Sequence, residues 1–441
     1  MPSAPVPGNP EIVIIGAGAA GIGAGLALTR LGIPFVILEA KPRPGGRAFT
    51  ESTSIGQPWD HGAQWFHAAE RNPLRLIAER IGHPFLAKDE DWATQWHVDG
   101  RALSPVEQKA AGEAMETAFE ASEEAGAAGR DISQAAAADL SPPYGLFSRF
   151  VFEAIGSGPA DDMSAVDVSR YDGEETDYAV TGGYGRLIAR LGEGLPVRLG
   201  CEVEAIASAP GGISIATAAD GTIRARAAIV TVSNNVLLSG RIRIDRTLPA
   251  ALEGLPCGDC EKIALELTGD ALAGLIDEKI LCQHGSDVFS LQVQPYGRRL
   301  VSAYVAGETA RRVGGLSHKD AGGLLGDVLA AVYGGKIRAS LGRAHRTGWS
   351  RDPHILGAYS YARAGHAADR PALLTADLAP LFLAGEAHLL DWFSTAHGAH
   401  VSGVQTAHKA ARHLGHKVPE ADPLWLPDSL GRSNSWAIPA C

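Results

Sequence analysis

Cysteine is scarce in this chain: five in 441 residues, at 201, 257, 260, 282 and 441. An odd, sparse set is no disulfide framework, and a reducing, cytoplasmic compartment is the expectation. Basic charge is short as well. Against 50 Asp and Glu stand 39 Lys and Arg, a net charge of −11, which lacks the basic footprint of a nucleic-acid binder. The acidity is compatible with a cationic substrate, although most acidic proteins are merely soluble. The opening MPSAPVPGNP has no basic n-region and no apolar h-region, so no signal peptide is expected. The uncharged stretch Ile12–Leu28 is broken by glycines and followed by Arg30, which fits a buried strand turning into a helix and not a membrane span. No repeat recurs at solenoid spacing. No metal-ligand pattern is convincing, because Cys257-Gly258-Asp259-Cys260 is a lone CxxC without a second pair of ligands and reads as two reduced, partly buried thiols.

What is present belongs to a globular protein, 45% apolar and 20% charged, long enough for two domains. Glu11–Ile15 reads as a buried parallel strand, followed by a glycine turn, a helix to about Arg30 and a second strand Ile33–Leu38. That is a βαβ unit. From Asn72 to Pro143 the texture is helical, with a capping box at Ser104-Pro105-Val106-Glu107. Asp161–Tyr178 carries seven acidic side chains and reads as a solvated loop that draws cationic amines toward a site. Strands are expected at Val197–Ile206, Ile213–Thr217, Ala227–Val232, Ile263–Leu267, Leu300–Val305 and Leu381–Ala384, with a helix over 318–333. Asp220-Gly221 marks a hairpin turn. The tail after Pro419 is expected to be loose or to wrap the surface.

Gly16-Ala17-Gly18-Ala19-Ala20-Gly21 follows a strand and opens a helix, the context of a dinucleotide fingerprint. Gly16 makes the tight turn, Gly18 admits a pyrophosphate to the backbone, and Gly21 permits close helix–strand packing. Free amides at the helix start then face the phosphates. Glu39 ends the second strand about 20 residues on, where a carboxylate accepts ribose hydroxyls. NAD and FAD share this fingerprint, so it does not choose between them.

Further motifs decide. Gly45-Gly46-Arg47, Asp60-His61-Gly62-Ala63-Gln64-Trp65, Thr181-Gly182-Gly183-Tyr184-Gly185, the Val203 region, Trp349 to Tyr361, Leu383-Ala384-Gly385-Glu386 and the segment STAHGAHVSG over 394–403 resemble, in order and spacing, the flavin-containing amine oxidase superfamily. That superfamily includes monoamine oxidases, polyamine oxidases and lysine-specific histone demethylases, and the late motif is closer to the polyamine oxidase branch. The resemblance implies an α/β fold: a Rossmann-type FAD-binding domain over 1–75, 176–250 and 366–418, a discontinuous α+β substrate domain over 76–175 and 251–365, and a tail over 419–441. It implies FAD contacts from Ala19, Ala20, Ala40, Arg43, Gly45, Gly46, Arg47, Gly62, Ala63, Gln64, Trp65, Val203, Trp349, Gly385, Glu386, Thr395, Ala396 and Ala399, beside Gly16, Gly18, Gly21 and Glu39.

By the residues alone Lys262 is a lysine at a strand entrance. By resemblance it matches the lysine that holds a water beside the flavin. Ala358 stands where monoamine oxidases carry the cysteine bonded to flavin, which implies non-covalent FAD. Tyr359 matches one wall of the aromatic sandwich around the substrate nitrogen, and Trp392 or Thr395 falls at the other wall. His67 matches a histidine that meets substrate in some polyamine oxidases. His61, His388 and His397 stay undivided between site and structural roles.

The implied activity is FAD-dependent oxidation of a small-molecule amine to an imine, with hydrolysis to a carbonyl product and reoxidation by molecular oxygen. Neither a nucleic acid nor a membrane is an expected partner, and a homodimer is compatible. The alternatives are a flavin desaturase or dehydrogenase with another acceptor, and a non-catalytic binding protein on the same fold.

Overall fold

The computed structural model describes residues 10–89, 93–172, 176–219 and 221–430. Ile12–Ile15 lies at the centre of a five-stranded parallel sheet, in the order Leu381–Leu383, Ala227–Val230, Ile12–Ile15, Phe35–Glu39, Val197–Leu199. Its four side chains are at most 3% exposed, as continuous apolar strands covered on both faces require. The chain turns at Gly16 (φ 104°), where a Cβ would lie 2.6 Å from Thr231 Oγ1, and enters helix Ala19–Leu31. Gly32, in the left-handed region at φ 66°, ends that helix.

Helix Ala19–Leu31 packs on helix Ala396–His413 with the two backbones almost touching. A Cβ on Gly403 would stand 1.9 Å from the Ala20 carbonyl oxygen, and one on Gly23 would stand 2.5 Å from that of His400. Both helices begin beyond the carboxyl end of a strand of this sheet, the place where open α/β sheets bind ligands.

A seven-stranded sheet forms the other layer, with Cys260–Leu267 between Leu341–Arg346 and Leu300–Ala306. One face packs Ile263, Leu265 and Val301 against Leu325, Val328 and Leu329 of helix His318–Tyr333. The opposite face packs Cys260 and Leu281 against Phe147 and Phe150 of helix Gly145–Gly156. This is the α/β layer with a separate α+β layer that the motifs imply.

Three local readings change. The helical texture of 72–143 is interrupted by a hairpin, Gln95–Val98 with Arg101–Ala102, at the edge of the seven-stranded sheet. Its turn residues Asp99 (φ 49°) and Gly100 (φ 82°) both occupy positive φ, the geometry that Asp-Gly supplies. Val197–Ile206 is two strands: Val197–Leu199 closes the parallel sheet, while Val203–Ala209 joins a four-stranded sheet with Gly212–Thr217 and Gly221–Ala225. The described residues of 161–178 are not simply a solvated loop. Ser164 caps a short helix Ala165–Val168, and Asp167 (1% exposed) is ion-paired at 2.7 Å with Arg370 (0% exposed).

Past Pro419, Leu424, Trp425 and Leu426 pack on the core, and His400 Nε2 lies 2.8 Å from the Pro423 carbonyl, so this part of the tail wraps the surface. Asp220, Cys441 and the end of the tail lie outside the described residues. Cys201, Cys257, Cys260 and Cys282 are buried free thiols. No helix among the described residues is long and apolar enough to cross a membrane, and no group of three or more His, Cys, Asp or Glu among them could hold a metal.

Candidate active site

One cavity of about 500 Å³ joins the glycine turn to the seven-stranded sheet, a size in the range of small-molecule sites, roughly 300–1,000 Å³. Its first end is built on the parallel sheet. Gly18 starts helix Ala19–Leu31 with no side-chain cap, so the first helical amides have no partner of that kind, and Gly18, Ala19 and Ala20 line the cavity. Glu39 accepts hydrogen bonds from Ala17 N (2.7 Å) and Lys41 N (2.9 Å). The Gly45-Gly46 loop lies directly on the glycine turn: Gly45 N donates to Ala17 O at 2.8 Å, and a Cβ on Gly46 (φ 57°) would be 3.3 Å from Gly18 Cα.

Arg47 and Glu386, far apart in sequence, meet at the wall. Arg47 Nη1 donates to Glu386 Oε1 (2.9 Å) and to the Ala358 carbonyl (2.6 Å). Glu386 also accepts from Ser360 Oγ (2.6 Å) and from the amides of Ser360 and Ser394 (3.2 Å each). Burial works against both charges, but their mutual attraction wins, holding the guanidinium above its ordinary pKa and the carboxyl below. Ser360 Oγ in turn accepts from Arg370 Nη1 at 3.3 Å, which carries the network to Asp167.

Lys262, on strand Cys260–Leu267, lines the cavity beside the Asp60–Trp65 segment. Its Nζ is held by the carbonyls of Asp60 (3.1 Å) and Gly62 (2.8 Å) and by Gln64 Oε1 (2.7 Å). Burial pushes its pKa down to about 8, against the pull of the Asp60 charge. It is therefore no solvated lysine.

The second end is aromatic. The Tyr359 hydroxyl is bonded to Tyr304 Oη at 2.7 Å, to Cys260 Sγ at 3.5 Å and to the Ala154 carbonyl. Burial raises the pKa of Tyr359 and Tyr304 well above the ordinary phenol value, so both are neutral. Tyr171 stands edge-on to Phe393 at 5.5 Å, and Phe119 edge-on to Phe152 at 4.7 Å; all four rings line the cavity. His67 lies at 2.8 Å from Asp177, both about 40% exposed. Burial drives His397 down to about 3, which leaves it neutral.

Of the residues singled out in the sequence, the cavity is lined by Gly16, Gly18, Ala19, Ala20, Glu39, Ala40, Gly45, Gly46, Arg47, Gly62, Ala63, Gln64, Trp65, His67, Val203, Lys262, Trp349, Tyr359, Gly385, Glu386, Thr395, Ala396 and Ala399. Ala358, His61 and His397 line it too, whereas His388 does not. Three others are placed elsewhere. Gly21 faces the turn, where a Cβ would be 1.9 Å from Gly16 O. Arg43 braces the glycine loop, stacked 3.7 Å over Phe49 and donating to Gly46 O at 3.0 Å.

Trp392 is the third, and it is replaced at the wall by its neighbour Phe393. The Trp392 carbonyl accepts from Thr395 Oγ1 (2.8 Å) while that hydroxyl accepts from Gly398 N (2.9 Å), capping helix Ala396–His413. In this turn, with Ser394 at φ 64°, the indole lies edge-on to His397 at 5.1 Å and the phenyl ring faces the cavity. Sequence reasoning missed Phe119, Phe152, Val168, Tyr171, Tyr304 and Phe393. These come from five separate segments and share no local motif; only the apolar Val168 and Tyr171 within an acidic run were a signal.

The pattern of the flavin containing amine oxidoreductase family matches residues 19–411. The chain is 27% identical over 439 residues to Protein FLOWERING LOCUS D of Arabidopsis thaliana, covering 91% of this chain and 55% of that protein. It is 26% identical over 453 residues to polyamine oxidase 5 of Oryza sativa subsp. japonica, covering 94% of this chain and 90% of that one. This chain thus spans about half the length of the first relative. Among solved structures, a triple mutant of putrescine oxidase with a redesigned cofactor site shares the fold at TM-score 0.76 and 18% identity, over 92% of this chain and 99% of that one.

Proposed function

The chain belongs to the flavin-containing amine oxidoreductase family, and on that premise we propose that it binds FAD without a covalent bond and oxidises a small amine to an imine that hydrolyses to a carbonyl product, molecular oxygen taking the electrons. The observation that carries this reading is the single cavity running from the glycine turn to Tyr359, with Lys262 in its wall. An open helix start suits a pyrophosphate, and the Glu39 carboxylate suits a ribose. Ala358 offers no thiol for a covalent link. The parallel-sheet strands fall within 1–75, 176–250 and 366–418, which we assign to the FAD-binding domain, and the seven-stranded sheet falls within 76–175 and 251–365, which we assign to the substrate domain.

When bound, the flavin supplies a two-electron acceptor for the hydrogen on the amine's α-carbon. The chain's residues do the rest. Tyr359, Tyr171 and Phe393 exclude water and orient the substrate body. Their low polarity disfavours the ammonium form by desolvation, while ring faces attract cations; desolvation must win, because the nitrogen lone pair assists loss of the hydride. Lys262 holds a buried positive charge that favours negative charge developing next to it. Anaerobic mixing of the yellow holoprotein with a panel of amines tests the reading. Bleaching by at least one of them is expected, and a colourless protein or a flavin that no amine bleaches would refute it.

A further inference from the structure

Beyond Tyr359 the cavity is a chamber walled by Phe119, Phe152, Val168, Tyr171 and Phe393, with Ile155 among its lining residues. We infer that the substrate is a monoamine with an apolar body, and not a diamine or polyamine; this rests on the amine oxidation proposed above. A second ammonium carried into the chamber would need a carboxylate, because an unpaired buried charge is costly. Among the described residues, five carboxylates line the cavity: Glu39, Asp177, Glu202, Glu261 and Glu386. Four are already committed. Glu39 holds the amides of Ala17 and Lys41, Glu386 is paired with Arg47, Glu261 accepts from Thr347 Oγ1 at 2.5 Å, and Asp177 is hydrogen-bonded to His67 at 2.8 Å, both about 40% exposed and so outside the buried part of the cavity. Glu202 is 3.7 Å from His354 and 47% exposed, and it adjoins Val203 at the end we assign to the cofactor.

The remaining charged groups in the lining are cations, Arg47 paired with Glu386, Lys41 paired with Asp352, and Arg241 and Lys262, and none offers a second ammonium a partner. Gln134, 2% exposed, also lines the cavity; its Nε2 donates to Ser122 Oγ at 3.3 Å and its Oε1 has no partner among the described residues, a neutral acceptor that does not balance an ammonium charge. Apolar walls without a free carboxylate among the described residues suit an alkyl or aryl body.

The test compares hexylamine with 1,6-diaminohexane in anaerobic flavin reduction of the holoenzyme, as the ratio of their second-order rate constants across pH. Taking the ratio cancels the titration of Lys262, which acts on both amines. The monoamine is expected to react about tenfold faster or more at neutral pH, with the gap closing near pH 10–11 as the second amine, whose pKa is close to that of lysine at about 10.4, loses its proton. Phe119→Asp, which puts a carboxylate in the chamber, is expected to shift the ratio toward the diamine by about tenfold. A diamine that matches the monoamine at neutral pH would overturn the inference and leave amine oxidation standing. So would a gap that does not change with pH, since size and not charge would then be the cause. A flavin that neither compound nor any other amine bleaches would instead remove amine oxidation itself.

Discussion

Lys262 keeps its ammonium below about pH 8 and loses it above. If that charge favours reoxidation of reduced flavin by oxygen, the reoxidation rate falls as pH rises through about 8. Lys262→Met is expected to be slow at every pH and to lack this inflection, which rapid mixing with oxygenated buffer would reveal. A variant that keeps the wild-type profile would reduce Lys262 to a packing residue. At the other end of the cavity, Tyr359→Ala is expected to slow single-turnover reduction by about tenfold or more, roughly 1.4 kcal/mol of barrier. Tyr359→Phe keeps the ring. Its Tyr304 partner retains the Ala154 carbonyl at 3.3 Å, so the cost is about 1 kcal/mol of stability with little loss of rate. Because Phe393 and not Trp392 lines the chamber, Phe393→Ala is expected to slow reduction while Trp392→Ala spares it. The opposite ranking would mean that this turn flips when substrate binds.

What was legible at this scale is what sits in a motif. Gly16, Glu39, Arg47 and Glu386 carry a spacing that survives without tertiary information, and each lines the cavity. The choice between Trp392 and Phe393 depends on which way a capped turn points successive side chains, and alignment by interval does not reach it. The ion pair between Arg47 and Glu386 was likewise out of reach, although each residue was singled out alone.

Two helices decide the geometry at the scale of elements. Gly403 brings helix Ala396–His413 onto the first turn of helix Ala19–Leu31, at Ala20 in the cavity wall. Gly403→Ala must push them apart, at an expected cost of about 1–3 kcal/mol, with a loss of retained flavin that thermal unfolding and flavin content would show. An unchanged melting temperature would mean that the crossing relaxes freely. Asp167→Ala leaves Arg370 buried without its partner, and a loss of about 3–5 kcal/mol is expected. Denaturant unfolding checks it, and a loss below about 1 kcal/mol would mark the pair as dispensable. Neither feature follows from propensity. The acidic setting of Asp167 hid a buried ion pair, and the hairpin at Asp99-Gly100 was missed inside a stretch read as helical, although Asp-Gly is a hairpin-turn dipeptide.

For the whole molecule, the net charge of −11 invited the idea that residues 161–177 steer cationic amines. The structure engages most of that charge locally: Asp161 with Arg149 (2.6 Å), Asp162 with Arg363 (3.1 Å), Asp167 with Arg370 (2.7 Å) and Asp172 with Arg71 (2.7 Å). Paired charges give little field at a distance beyond the Debye length, about 8–10 Å at physiological salt. The kcat/KM for a cationic amine is therefore expected to change less than about threefold between low and high salt. A steep decline would restore steering.

The central claim is that one cavity holds a flavin and an amine and passes two electrons between them. The most direct measurement is an anaerobic titration of the holoenzyme with a substrate amine, following flavin absorbance and product together. One flavin bleached and one carbonyl compound released per amine consumed, with the yellow colour returning on admission of oxygen, is the predicted result. Bleaching that yields a product with its nitrogen retained and a new carbon–carbon double bond would contradict the account and make the protein a desaturase.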